Sequence, residues 1–212
     1  MPIKESDLPN FLKPYLELIQ KMGHASAQAT RDKIKKIKII TEGEVSEYID
    51  SLTTFATVGM LRESLEDSVN YVNAEFVAKD IGIEIEKDTQ INNSGLANKI
   101  TIRLTTANSI FKISGTVLGA DIQRIVEIDE YQLDLEPKGK MILFRNTDVP
   151  GVIGDVGHII SSNNLNISDF RLGRNRKSQA LAVVKVDGNI SKKLLKELSD
   201  LETCISVAHV SI

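Results

Sequence analysis

The sequence predicts an α+β protein with two domains, a mixed α/β domain followed by a domain in the order βαββαβ. Three observations support this prediction. Apolar residues recur at helical spacing in some segments and at every second residue in others, in both halves of the chain. The 212 residues are enough for two small domains. A short polar stretch at 136–140 separates two self-sufficient patterns, so we place the domains at 1–137 and 138–212.

The first domain is predicted to begin with an amphipathic helix over residues 11–29. Apolar side chains recur there at three- and four-residue spacings, as they do on one face of a helix: Leu12, Tyr15, Leu16, Ile19 and Met22. A looser apolar stripe predicts a second helix over 46–65, and Asn73 is a candidate N-cap for a short helix over 74–79. Two-residue alternation predicts strands at 35–40, 81–86, 98–106, 110–118 and 124–135. The polar segment 88–97 is predicted to be a loop.

The second domain alternates strands and helices in a recognisable order. Strands are predicted at 141–146, 167–173, 180–186 and 205–211, with helices at 151–163 and 191–201. Ser191 is the expected N-cap of the second of these helices. The order βαββαβ is the ferredoxin-like plan, in which two helices cover one face of a four-stranded antiparallel sheet.

The composition excludes several classes of function. A net charge of −3, 5% aromatic residues and the absence of Trp give no basis for nucleic-acid binding. The single cysteine, Cys204, excludes an internal disulfide and a Cys-rich metal or iron–sulfur site, and we expect it to be a packing residue. None of the histidines, His24, His158 and His209, has a second ligand at metal-binding spacing. No apolar run is long enough to cross a membrane and no signal peptide is evident, so a soluble cytoplasmic protein is expected.

The segment 148–154 is the strongest indication of a binding site. It joins a predicted strand to a predicted helix, and its proline suits a helix start. Gly151 and Gly154 leave the backbone open to close approach. The first N–H groups of a helix have no intrahelical acceptor, so such a turn favours negatively charged groups. We therefore expect this part of the chain to bind a small polar molecule.

Several motifs resemble those of known families. The segments Arg145–Gly154 (RNTDVPGVIG), Asn164–Ile167 (NLNI) and Leu172–Arg174 (LGR) resemble the ACT domain, a small-ligand regulatory module of amino-acid metabolism. The preceding region resembles the intervening, or allosteric substrate binding, domain of D-3-phosphoglycerate dehydrogenases. The residues that carry this second resemblance are Tyr71–Ala74, Ala78–Ile83, Gly115–Gly119 and Arg124–Asp129. Together the two resemblances cover essentially the entire chain.

The resemblance implies the regulatory C-terminal part of a larger NAD-dependent dehydrogenase of L-serine biosynthesis. The chain contains no Gly-x-Gly-x-x-Gly motif, and none of the family's catalytic residues can be carried over to it. We therefore expect no cofactor and no catalytic residue here, with NAD bound by the parent enzyme's other domains. The implied partners are L-serine or a similar small amino acid, a second copy through the ACT domains, and the catalytic domains of the parent enzyme.

The resemblance also implies site residues. The effector would be held at Asn146, Asp148, Gly151, Val152 and Asn166, where two ACT domains meet side by side. Asp148 would accept the ammonium group of an amino acid, and the two asparagines would bond its polar groups. The alternative is that Asp148 caps the helix and the asparagines satisfy turns. An anion site is implied at Arg124, Lys138 and Lys140, where the alternative is a solvated surface arginine.

Two other functions remain open at this stage. The chain could be a passive oligomerisation module that ignores amino acids, because the sheet edges of an ACT domain favour pairing with a second copy. It could also be the regulatory part of an L-serine dehydratase, although such enzymes resemble iron–sulfur proteins that need several cysteines. A group of basic residues in the second domain is expected to be a solvated turn: Arg171, Arg174, Arg176 and Lys177.

Overall fold

The computed structural model describes residues 8–30, 32–65 and 68–212, and these form two compact units. The first unit contains the described residues up to 129, together with 135–137. The second contains residues 130–134 and 138–212. The helices and sheets of both units give an α+β protein, as predicted. Among the described residues, no helix is long and apolar enough to cross a membrane.

The first unit packs helices against one face of a sheet. After a 3-10 turn at Asn10–Leu12 come α1 (Lys13–Ala29), β1 (Lys36–Glu42), a 3-10 turn at Glu44–Tyr48, α2 (Ile49–Leu65) and α3 (Ala74–Asp80). Four more strands follow: β2 (Glu84–Gln90), β3 (Lys99–Thr105), β4 (Ile110–Leu118) and β5 (Ile122–Ile128). In this unit β1 to β5 form a sheet in the order β2-β1-β3-β4-β5, and β6 (Tyr131–Leu135) follows β5 along the chain. β1 and β2 pair in parallel, because α2 and α3 form the crossover connection between them.

Two glycines allow α1 and α2 to cross at very close range. A Cβ atom on Gly59 would overlap the carbonyl oxygen of Gln20, and one on Gly23 would overlap the carbonyl oxygen of Ala56. Both conflicts are with backbone atoms, which cannot swing aside as a flexible side chain can. The fully buried residues of α1 include Leu18, Ile19 and Met22, so its apolar stripe faces the core as predicted.

The other face of this sheet carries charged side chains, including a largely buried cluster around Glu127. The Lys112 Nζ lies 2.7 Å from Glu127 Oε1, and the Lys99 Nζ lies 3.5 Å from Oε2. The Ser114 hydroxyl donates to the same carboxylate at 3.2 Å. Burial raises the pKa of Glu127, but the hydrogen bonds and charges of these neighbours outweigh it, so the pKa lies below its ordinary value.

The lowered pKa of Glu127 predicts a loss of stability in acid. A carboxyl whose pKa is lower in the folded than in the unfolded state stabilises the fold above its unfolded pKa, about 4.3 for glutamate. This contribution disappears as the pH falls through the lowered folded pKa. Urea unfolding between pH 6 and 3 should therefore show a shallower loss of stability for Glu127→Gln than for wild type. Equal slopes for the two proteins would contradict this assignment.

The second unit has the predicted βαββαβ order. Its elements are β7 (Lys140–Thr147), α4 (Val152–Ser162), β8 (Asn166–Arg174), β9 (Gln179–Asp187), α5 (Lys192–Ser199) and β10 (Cys204–Ser211). The sheet is antiparallel in the order β10-β7-β9-β8, so β10 and β8 are its edge strands. Side chains of the two helices pack on one face of the sheet around Phe144 and Val184. The hydroxyl of Ser191 accepts a hydrogen bond from the Leu194 N–H at 3.1 Å, which confirms the predicted N-cap.

Residues 130–134, at the end of the predicted first domain, cluster with the second unit. Within that unit the Asn175 amide donates to the Glu130 carboxylate at 2.9 Å. Gly173 allows the two segments to approach closely, because a Cβ there would lie 2.8 Å from the Cβ of Tyr131. This division is not visible in the residue pattern, since residues 124–135 alternate without interruption.

Three predicted elements need correction. The single strand predicted at 124–135 is two strands, because Asp129 adopts a left-handed conformation with φ 50° and turns the chain. The strand predicted at 81–86 begins at Glu84 and continues through Gln90 into the predicted loop. The N–H groups of Gly82 and Ile83 instead close the end of α3 by bonding to Lys79 and Ala78. Asn73 does precede α3, but its side chain makes no capping bond and accepts from the Asn70 N–H instead.

Candidate functional site

A cavity of about 320 Å³ lies in the second unit where β7 gives way to α4. Its polar wall consists of Asn146, Asp148 and Arg174. The connecting loop and the first turn of α4 form another wall, over residues 149–154. The remaining wall is apolar and includes Phe144, Val156, Phe170, Leu172 and Ala182. A cavity with a few polar groups on an otherwise apolar lining is typical of small-molecule sites.

Backbone hydrogen bonds hold the loop between β7 and α4. The Thr147 N–H donates to the Thr203 carbonyl, and the Asp148 N–H donates to the Ser178 carbonyl, both at 2.9 Å. Gly151 then takes a left-handed conformation with φ 98° as the N-cap residue, and α4 begins at Val152. This conformation favours glycine and turns the chain sharply into the helix. The loop therefore has a defined shape beside the cavity.

Asn146 is a buried polar residue that faces the cavity with spare hydrogen-bonding capacity. Only 3% of its surface is exposed. Its amide nitrogen makes two long bonds, to the carbonyl oxygens of Phe144 at 3.5 Å and Ala180 at 3.4 Å. Its Oδ1 accepts no hydrogen bond from the part of the chain that the structure describes. Buried amides usually satisfy both their donor and acceptor groups, so this side chain is suited to bond a ligand.

Asp148 forms an ion pair across the cavity mouth and does not cap the helix. Its Oδ2 lies 2.9 Å from the Nε of Arg174, at the end of β8. The N-cap position belongs to Gly151, three residues after Asp148. The helix-capping alternative for Asp148 is therefore wrong. The carboxylate is instead presented toward the cavity beside a cation.

The first turn of α4 offers free backbone donors. Gly151, Val152 and Gly154 all line the cavity. The Asp155 N–H donates to the Gly151 carbonyl at 3.0 Å, and no N–H group before it in this helix has a backbone acceptor among the described residues. At Gly154 an added Cβ would meet nothing within 4 Å, so the space beside this turn is open. These donors complement a negatively charged group.

Asn166 lies at the opposite end of the sheet from the other predicted effector residues. On β9 the partner of Asn146 is Ala180, whereas the partner of Asn166 is Asp187. Seven residues of a strand span roughly 23 Å. The amide of Asn166 donates to the Asp187 carboxylate at 3.3 Å, and it does not line the cavity. Within one chain, four of the predicted effector residues line the cavity and Asn166 does not: the four are Asn146, Asp148, Gly151 and Val152.

The predicted anion site remains a prediction. Arg124 belongs to the first unit, where its guanidinium donates to the carbonyl of the adjacent Gln123 at 2.9 Å. Lys138 and Lys140 belong to the second unit, where the ammonium of Lys140 donates to the Asn189 side chain.

The candidate site residue that was not expected from the sequence is Arg174. It was expected in a solvated turn, yet it lies on the cavity wall and pairs with Asp148. The other basic residues of that group do not line this cavity; Arg171 pairs with Asp169 at 3.0 Å, and Lys177 pairs with Glu130 at 3.4 Å. A signal was present, because Phe170, Leu172 and Arg174 alternate along β8 and so share one face of the sheet.

The described residues contain no group of three or more His, Cys, Asp or Glu side chains arranged to hold a metal ion. His24 lies in the first unit, 3.8 Å from the carboxylate of Glu63. Cys204 is partly buried and packs against the core of the second unit, which confirms its predicted packing role.

Comparison with known proteins supports the assignments made from the motifs. Residues 11–129 match the family profile of the D-3-phosphoglycerate dehydrogenase intervening domain. Residues 140–203 match the ACT domain, which contains the cavity loop.

Individual proteins similar in sequence to this chain also carry the name D-3-phosphoglycerate dehydrogenase. The chain is 30% identical over 203 residues to D-3-phosphoglycerate dehydrogenase of Bacillus subtilis (strain 168), covering 95% of this chain and 39% of the relative. It is 28% identical to the enzyme of the same name from Synechocystis sp., covering 91% of this chain and 35% of that one. The chain thus spans about two-fifths of the length of these relatives. It belongs to the D-3-phosphoglycerate dehydrogenase family, of which it carries the intervening domain followed by an ACT domain.

Proposed function

We propose that this chain is the regulatory part of an NAD-dependent D-3-phosphoglycerate dehydrogenase of L-serine biosynthesis, and that its ACT domain binds L-serine or a similar small amino acid. The observation that carries the proposal is the polar wall of the cavity, where Asn146, Asp148 and Arg174 converge. NAD and the catalytic residues would belong to other domains of the enzyme. The relatives named above are dehydrogenases, which favours this function over the regulation of an L-serine dehydratase.

The cavity offers complementary partners for an α-amino acid. The Asp148 carboxylate is suited to accept the ammonium group, because charge-assisted hydrogen bonds are the strong ones. The free N–H groups at the start of α4 are suited to the carboxylate. The buried Asn146 amide can bond either group or a side-chain hydroxyl. The surrounding apolar wall limits the space for a larger side chain.

A second copy of the chain would complete the site with Asn166. β8 is an edge strand, so its outer edge can pair with the β8 of another copy. In an antiparallel pair centred on Phe170, residue 166 of one copy lies opposite residue 174 of the other. This arrangement would bring the partner copy's residue 166 to the mouth of the cavity. Since a two-fold pair is symmetric, both sites would be completed in the same way.

Serine binding of this kind is sufficient for allosteric control. Coupling between an effector site and a distant active site typically amounts to ~1–3 kcal/mol. A hydrogen bond to a charged group contributes roughly 1.5–3 kcal/mol. Two or three bonds made in only one state of the enzyme would therefore shift its activity. Inhibition by the end product would be the biological role.

A mixing experiment tests whether the site is shared between copies. Asp148→Ala and Asn166→Ala should each weaken serine binding at least about tenfold, so neither variant alone binds serine with wild-type affinity. In a mixed dimer, one site receives Asp148 and Asn166 intact and the other site lacks both. Random mixing of the two variants should therefore restore about a quarter of the wild-type sites, counted by equilibrium dialysis. If the mixture binds no more serine than the separate variants, the shared site is wrong.

The competing function is a passive oligomerisation module. Such a module would form dimers without responding to amino acids. Sedimentation velocity with and without millimolar L-serine separates the two functions, because a ligand bound between copies stabilises their association. We expect serine to increase the dimer fraction at low protein concentration. Dimers that are indifferent to serine, in a protein that shows no heat of binding, would favour the passive module.

A further inference from the structure

The ion pair between Asp148 and Arg174 joins the two opposite charges on the polar wall of the cavity. The two charges come from different elements, the loop after β7 and the end of β8. The backbone of each is fixed, since the Asp148 N–H bonds Ser178 and Arg174 pairs with Ala180 in the β8–β9 ladder. The Arg174 side chain is 65% exposed and that of Asp148 is 28% exposed. The pair is therefore accessible from solvent and lies on the cavity wall.

An exposed ion pair of this kind can be exchanged at low cost. Ion pairs open to solvent contribute little to stability, so separating this pair loses little. A ligand that carries both an ammonium and a carboxylate group replaces both partners at once. A ligand with a single charge satisfies one side chain and leaves the other without its partner. The cost of an unpaired charge grows as the ligand excludes water from the cavity.

We propose that Arg174, together with the N–H groups at the start of α4, anchors the carboxylate of the ligand, and that the Asp148–Arg174 pair makes the site selective for zwitterions over singly charged compounds. This inference rests on the proposed function and names the chemical class that the same site accepts. Arg174 is thus a specificity-determining residue on β8, opposite the loop that carries Asp148. The apolar wall beside the pair, with Phe170 and Leu172, gives no partner for a third charge.

Three ligands that differ only in their charged groups test the proposal by calorimetry on the full chain. L-serine carries both charges, ethanolamine lacks the carboxylate, and 3-hydroxypropanoate lacks the ammonium group. We expect wild type to bind L-serine at least about tenfold more tightly than either of the other two. Equal affinity for all three compounds would overturn the proposal.

Substitution of Arg174 tests its individual role. Arg174→Gln should weaken the binding of L-serine about tenfold or more. The affinities of this variant for L-serine and ethanolamine should then differ by no more than about threefold. Arg174→Lys keeps the charge and should retain part of the preference. The matched control is Arg176→Gln, an exposed residue that does not line the cavity and should leave all three affinities unchanged. Circular dichroism and melting curves establish that each variant is folded.

The results distinguish failure of this inference from failure of the proposed function. If Arg174→Gln binds L-serine as wild type does and keeps the same preference, Arg174 is not the anchor, although serine binding by the domain stands. If wild type binds none of the three compounds, the proposed function fails and this inference fails with it.

Discussion

Replacing Asp148 by alanine is expected to weaken L-serine binding at least about tenfold, since one charge-assisted bond is worth roughly 1.5–3 kcal/mol. The carboxylate is the negative group on the polar wall of the cavity, and its loss leaves the ligand's ammonium without an acidic partner. The substitution also removes the ion-pair partner of Arg174 in the unliganded protein. Calorimetric titration of the variant measures the effect directly.

Asp155→Ala is the matched control for this experiment. Asp155 lies in the first turn of α4, seven positions along the chain, but is exposed and does not line the cavity. Its removal changes the net charge by the same amount. The control should retain wild-type affinity, apart from a small effect of charge at the helix start. Equal losses in both variants would mean that general electrostatics, and not a specific contact, accounts for the result.

Gly59→Ala is expected to destabilise the first unit by about 1–3 kcal/mol or more, the usual cost of overpacking a tight contact. In an ordinary helix this change stabilises the protein, because alanine has the higher helix propensity by about 1 kcal/mol. Here the new Cβ overlaps the carbonyl oxygen of Gln20, so α1 and α2 have to move apart. Urea unfolding followed by circular dichroism gives the change in free energy of unfolding.

Gly157→Ala provides the comparison, because Gly157 lies inside α4 and an added Cβ meets nothing within 4 Å. This variant should be as stable as wild type or more stable. We therefore expect Gly59→Ala to lower the free energy of unfolding and Gly157→Ala to leave it unchanged or raise it. A neutral or stabilising Gly59→Ala would show that the helices are farther apart than the structure places them.

Much of the fold could be predicted because its signals are local. The apolar stripe of α1, the alternation of β7 and β9, and the Ser191 cap each depend on a few neighbouring residues. The break between β5 and β6 was missed because it depends on the left-handed conformation of Asp129, which alternation does not reveal. The close approach at Gly173 was missed because its partner, Tyr131, is distant in sequence.

The candidate site was predictable only in part. The loop with Asp148 and Gly151 was identified from residue types that suit a strand–turn–helix connection. Arg174 was expected in a solvated turn because basic residues near a hairpin are usually solvated. Its contact with Asp148 joins two residues that are distant in sequence, so local patterns do not reveal it. Asn166 was grouped with Asn146 on the basis of family resemblance. The strand register separates them within one chain, so their joint role depends on a second copy.

Calorimetric titration of the wild-type chain with L-serine tests the central claim most directly. The claim is that the cavity beside α4 binds a small amino acid. We predict a saturable heat of binding and an increase in melting temperature, since a ligand that binds only the folded state stabilises it. The absence of both a binding heat and a thermal shift at millimolar L-serine would contradict the account.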